Sequence, residues 1–116
     1  MNEFELFTMI FFVLDAYYDK DIDDICINTV LSDMNPFIWA DIGSADPAMY
    51  DEYKKFLKER TITLENSFDI AKDYVKTIEY ADVTPAFDEM DQKRWIAYCK
   101  EYLSEPHKGG DVQNLR

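Results

Sequence analysis

The stretch "LSDMNPFIWADIGSADPAMYDEY", residues 31–53, interrupts a chain otherwise rich in helix-forming residues. Residues 34–45 show no helical period, yet they carry Phe37 and Trp39, with Asp33, Asp41, Asp46 and Asp51 around them. A loop that only reversed the chain would need no tryptophan. The two apolar rings are expected to pin the loop to a core and hold the surrounding aspartates rigidly.

Helical patterns lie on both sides of this loop. Upstream, Phe4, Phe7, Phe11, Leu14 and Tyr18 recur at spacings of three and four, beside a second stripe of Leu6, Ile10, Val13 and Tyr17. Two adjacent stripes make a helix apolar over most of its girth, and such a helix sits centrally. It is expected over about residues 3–18. In "DKDIDDICINTVLSDM", Ile22, Ile25, Cys26, Thr29 and Val30 form one helical face, with Asp21 as a cap and Asp23 and Asp24 in the first turn. Its β-branched residues also allow a strand; helix is the preferred reading.

Downstream, Asp46 caps a helix with Pro47 at its first position, where a missing N–H costs nothing. Met49, Tyr50, Tyr53, Phe56 and Leu57 face inward, and Lys54, Lys55, Lys58 and Arg60 load the C-terminal end. Thr63 caps the next helix, whose stripe is Leu64, Phe68, Ala71, Val75 and Ile78. Thr84 and Pro85 repeat the cap-then-proline device before a stripe containing Phe87, Trp95, Tyr98, Cys99 and Tyr102. No long alternating strand pattern competes. The predicted fold is therefore all-α: a single-domain bundle of about five helices over residues 1–103, with one longer aromatic loop at 34–45. Residues 104–116 hold Pro106 and two of the three glycines and read as a flexible C-terminal tail.

With 116 residues, 47% hydrophobic and 16% aromatic, the chain can form a true core. Its charge is lopsided. The net charge is −12, and residues 1–52 hold twelve acids against one base, Lys20, a net of −11. Such a surface repels nucleic acid and anionic lipid and favours a basic protein partner or simple solubility. The N-terminal apolar run has no basic start and falls short of the roughly 20 residues a membrane span needs. It reads as a buried helix of a cytoplasmic protein. Cys26 and Cys99 belong to no metal or redox motif and read as two buried small hydrophobes.

Chemistry-bearing motifs are few. "DKDIDD", residues 19–24, places Asp19, Asp21 and Asp23 at the first, third and fifth positions of a calcium loop. The sixth position, Asp24, should then be glycine, and the twelfth, Val30, a bidentate glutamate. An acidic helix start is the better reading, and no metal or cofactor is expected. The lone histidine, His107, lies in the glycine-rich tail, a poor place for a general base. The chain is not expected to be an enzyme.

The aromatic excess has two readings. Tyr17, Tyr18, Tyr50, Tyr53 and Trp39 belong to the core, or they supply contact area to a partner, which large rings with polar tips do well. On the second reading the partner-binding set comprises Asp19, Asp21, Asp23, Asp24, Asp33, Trp39, Asp41, Asp46, Tyr50, Asp51 and Tyr53.

Residues 4–57, through Leu31-Ser32-Asp33-Met34 and Ala45-Asp46-Pro47-Ala48 in particular, resemble small acidic bacterial immunity proteins of contact-dependent inhibition and related polymorphic toxin systems. The resemblance implies a protein that binds a cognate toxin domain one to one and blocks its active site or substrate path. The alternative is a helical adaptor or regulatory subunit that forms a homodimer through its aromatic faces.

Overall fold

The computed structural model describes residues 1–18 and 23–110. Six helices follow one another: α1 (Glu3–Tyr17), α2 (Ile25–Met34), α3 (Pro47–Leu57), α4 (Leu64–Val75), α5 (Pro85–Asp88) and α6 (Gln92–Leu103). There is no strand among the described residues, and the helices make one all-α globule. Among the described residues, no helix is long and apolar enough to cross a membrane.

The double stripe of α1 explains its place. Every residue from Phe4 to Phe11 is buried, and α1 packs against α2, α4 and α5. A reciprocal cap starts it: the Asn2 side chain accepts from the Glu5 N–H (2.8 Å), and Glu5 Oε1 accepts from the Asn2 N–H (2.7 Å). Two free helix-start donors are satisfied in one device. Phe7 then meets the rings of Tyr50 (5.1 Å) and Tyr53 (4.8 Å) from α3 and of Tyr74 (6.3 Å) from α4. A second aromatic cluster joins Phe68 of α4, Phe87 of α5 and Trp95 of α6. There the buried Trp95 Nε1–H donates to Ser67 Oγ at 2.8 Å.

The caps of α3 and α4 are those read from the sequence. Asp46 accepts from the Ala48 N–H ahead of Pro47, and Thr63 forms a reciprocal cap with Asn66. Three expectations are corrected. The segment after Thr84 is not one helix: Thr84 makes no side-chain cap, α5 ends within four residues, and Asp91 restarts the chain by accepting from the Arg94 N–H (2.8 Å). Helix α2 is capped by Asp24, and it buries Ile27, Val30 and Met34 while Ile25 is 79% exposed. Its inward face is rotated from the predicted one. Cys26 consequently points outward, and only Cys99 is buried.

Residues 107–110 are packed down. Asn2 Nδ2 donates to the Gly109 carbonyl (2.7 Å), and His107 Nε2 meets Glu5 Oε2 at 2.5 Å. Gly109 has φ +79°, and a Cβ there would lie 2.4 Å from the Phe4 ring. Only glycine fits both the backbone conformation and the space. The sequence reading of a flexible tail concerns, beyond this strap, residues 111–116, which lie outside the described residues.

Candidate partner-binding site

The loop between α2 and α3 is built from the inside out. The Ala45 N–H donates to the Asn35 carbonyl (2.9 Å) and the Asp46 N–H to that of Asp33 (3.0 Å), which closes the loop at its neck. The Phe37 N–H donates to Asn35 Oδ1 (2.9 Å), an Asx turn that starts the excursion. Ser44 is fully buried; its hydroxyl donates to the Asp46 carbonyl and accepts from the Tyr50 N–H (3.1 Å). The loop is thus locked to the first turn of α3.

Its far side is held by the C-terminal strap. Lys108 Nζ donates to the carbonyls of Pro36 (2.7 Å) and Trp39 (2.6 Å) and lies 5.3 Å from the centre of the Phe4 ring. Partial burial pulls the Lys108 ammonium below its ordinary range, opposed by the nearby Asp41 carboxylate. The strap is itself anchored by His107. Its Nδ1 faces the Glu105 carbonyl (2.6 Å), its Nε2 faces Glu5, and its ring lies tilted against Tyr102 with centroids 4.3 Å apart. Both ring nitrogens face oxygen atoms, which fixes the orientation of the ring.

Held in this way, the loop leaves four apolar side chains about half exposed: Phe37, Ile38, Trp39 and Ile42. Trp39 does not swing freely, because its Nε1–H donates to the Ala45 carbonyl (3.2 Å). Phe37 stacks against Phe12 of α1 at 5.8 Å. Clustered apolar exposure on a rigid loop is a feature of binding surfaces.

The predicted residues fall in several places. Trp39 and Asp41 lie on this loop and are exposed. Asp33 and Asp46 come together at its neck, where Tyr80 Oη donates to Asp33 Oδ2 at 3.1 Å; burial, together with the two carboxylates, pushes the Tyr80 hydroxyl up to about 12. Asp51 is exposed on α3. Asp23 and Asp24 are exposed at the start of α2, the length of a ten-residue helix (about 15 Å) from Asp33. Asp19 and Asp21 lie outside the described residues.

Tyr50 and Tyr53 are corrected: they are 5% and 0% exposed and belong to the core. Tyr53 Oη donates to the Glu3 carbonyl, and burial raises the hydroxyls of both rings well above their ordinary range. Sequence reasoning missed Ile38 and Ile42, which follow no period, and Lys108, a single lysine in a glycine-rich segment with no local sign of its long-range contacts. Among the described residues, no three His, Cys, Asp or Glu side chains are grouped as metal ligands.

Compared with protein-family models, curated proteins and solved structures, the chain matches none.

Proposed function

We propose that this chain is an immunity protein that binds a basic toxin domain one to one and blocks its active site or substrate path. The observation that carries this reading is the loop: Phe37, Ile38, Trp39 and Ile42 stand exposed on a segment fixed at both ends, in the half of the chain with net charge −11. The resemblance of residues 4–57 to immunity proteins supports it.

Rings and branched aliphatics on a preorganised loop would supply the buried contact, with little ordering entropy left to lose. Asp41 beside them, Asp33 and Asp46 at the loop neck, and Asp51 on α3 would meet basic groups at the rim. Rim charges act mainly on the rate of encounter. The −12 charge would steer a cationic partner over distances comparable with the Debye length, about 10 Å at 0.1 M salt.

The test starts from the gene immediately upstream: where it encodes a large secreted protein with a variable C-terminal domain, the chain is co-expressed with that domain. A 1:1 complex whose association slows steeply between about 50 and 300 mM salt supports both binding and steering. A complex with a salt-independent on-rate removes the steering. The competing class, a homodimeric helical adaptor, predicts that the purified chain self-associates at micromolar concentration through the same loop. Sedimentation of the chain alone as a dimer, with no capture of that domain, would replace the immunity reading with that one.

A further inference from the structure

A groove of about 780 Å³ runs between α1, α5 and α6, on the other side of Phe12 from the loop. Its walls carry exposed rings: Phe12, Tyr17 and Tyr98 are 36%, 41% and 45% exposed. Tyr102 meets Phe12 edge-on at 5.7 Å and fixes the wall between them. Among the described residues, three carboxylates, Glu89, Glu101 and Glu105, line the groove against one cation, Arg94. Arg94 is itself engaged, its Nη1 donating to the Glu89 carbonyl at 3.4 Å. The nearby Glu89 carboxylate raises the Tyr17 hydroxyl above its ordinary range. One acid is thus positioned beside a ring.

We infer that this groove is a binding site for a small organic cation with a large apolar body. Its size lies within the range of small-molecule pockets, roughly 300–1,000 Å³, and apolar walls with a few convergent polar groups are their usual lining. The sign of the ligand follows from the lining. Aromatic faces attract cations through their quadrupoles, and three carboxylates against one guanidinium repel an anion. A neutral apolar ligand would gain nothing from the acids. The inference stands apart from the immunity reading, because it uses none of the loop residues and no partner protein.

Tetraphenylphosphonium and tetraphenylborate, ions of the same shape and opposite charge, provide the test by isothermal titration calorimetry of the purified chain. The cation should bind one to one and at least about tenfold tighter than the anion, a difference of about 1.4 kcal/mol. The double variant Glu89→Gln/Glu101→Gln should weaken cation binding by about fivefold or more. Removing two charges elsewhere, with Glu59→Gln/Asp69→Asn, should leave it within about twofold, which separates the groove from the general −12 charge. Trp39→Ala should leave it unchanged. Amide shift changes on cation binding should centre on Phe12, Tyr17 and Tyr98. Equal affinity for the two ions, equal losses in the two double variants, or shifts confined to the loop would each overturn the assignment.

Discussion

The two tryptophans of this chain have opposite fates. Trp95 is 0% exposed and Trp39 is 53% exposed, yet each indole N–H has a partner, Ser67 Oγ for Trp95 and the Ala45 carbonyl for Trp39. A satisfied N–H therefore does not require a buried ring. What differs is the surroundings. Trp95 lies on a helical stripe facing Phe68 and Phe87, so packing encloses it. Trp39 lies on a closed loop whose neck, strap and hydroxyl bridge fix the backbone while leaving the ring's face to solvent. The lesson is that position and orientation are specified separately from burial, and a loop can present an apolar face as rigidly as a helix hides one.

The largest expected effect divides the two rings. Trp95→Ala should cost about 3–5 kcal/mol of unfolding free energy through the cavity it leaves. Trp39→Ala should cost less than about 1 kcal/mol, since half of its surface never left water. Urea denaturation followed by circular dichroism measures both. A loss at Trp39 as large as at Trp95 would show that the loop ring is structural after all.

The next effect concerns the tyrosines buried around Phe7. Burial raises the hydroxyls of Tyr50, Tyr53 and Tyr74 above the ordinary value near 10 that they regain on unfolding. The folded state therefore holds these protons more tightly. Their contribution is fully present below about pH 10 and is lost as pH rises above it. Tyrosinate absorbance and helix signal should change together there. Full ionisation of all eight tyrosines with the helices intact would contradict the burial of this cluster.

A smaller effect should separate strap from loop. Lys108→Met keeps the aliphatic stem near Phe4 but removes both hydrogen bonds to the loop carbonyls. It should cost about 1 kcal/mol and speed amide hydrogen exchange at residues 37–42, while α4 and α6 stay protected. Unchanged exchange in the loop would mean that the neck alone holds it.

Much of the fold was legible because helix signals are local. The double apolar stripe of α1, the Asp46-Pro47 start of α3 and the Thr63 cap of α4 each announce themselves within a few residues. The break between α5 and α6 was hidden by a second cap: Thr84-Pro85 looks like the start of one long helix, while Asp91 is the residue that caps. The inward face of α2 was misread because Ile22, Ile25 and Cys26 offered a competing face beside the stripe of Ile27, Val30, Leu31 and Met34 that the core uses. Tyr50 and Tyr53 could not be assigned from sequence, since tyrosine suits a core and an interface equally well. The strap was invisible because its contacts span about a hundred residues: His107 to Glu5, and Asn2 to Gly109. The aromatic loop was legible from Phe37 and Trp39, but these rings were expected to pin it to the core; they are about half exposed, and Ser44 and Lys108 hold its backbone instead.

The central claim is that the exposed face of Trp39 contacts a basic protein partner. Where the upstream gene encodes a toxin, calorimetric titration of its C-terminal domain with the wild-type chain and with Trp39→Ala, alongside their melting temperatures, decides it. A 1:1 complex is expected, weakened in Trp39→Ala by about 2 kcal/mol, roughly thirtyfold, while that variant melts within a few degrees of wild type. Equal affinity of the two chains for that domain, or no binding by either, would contradict it.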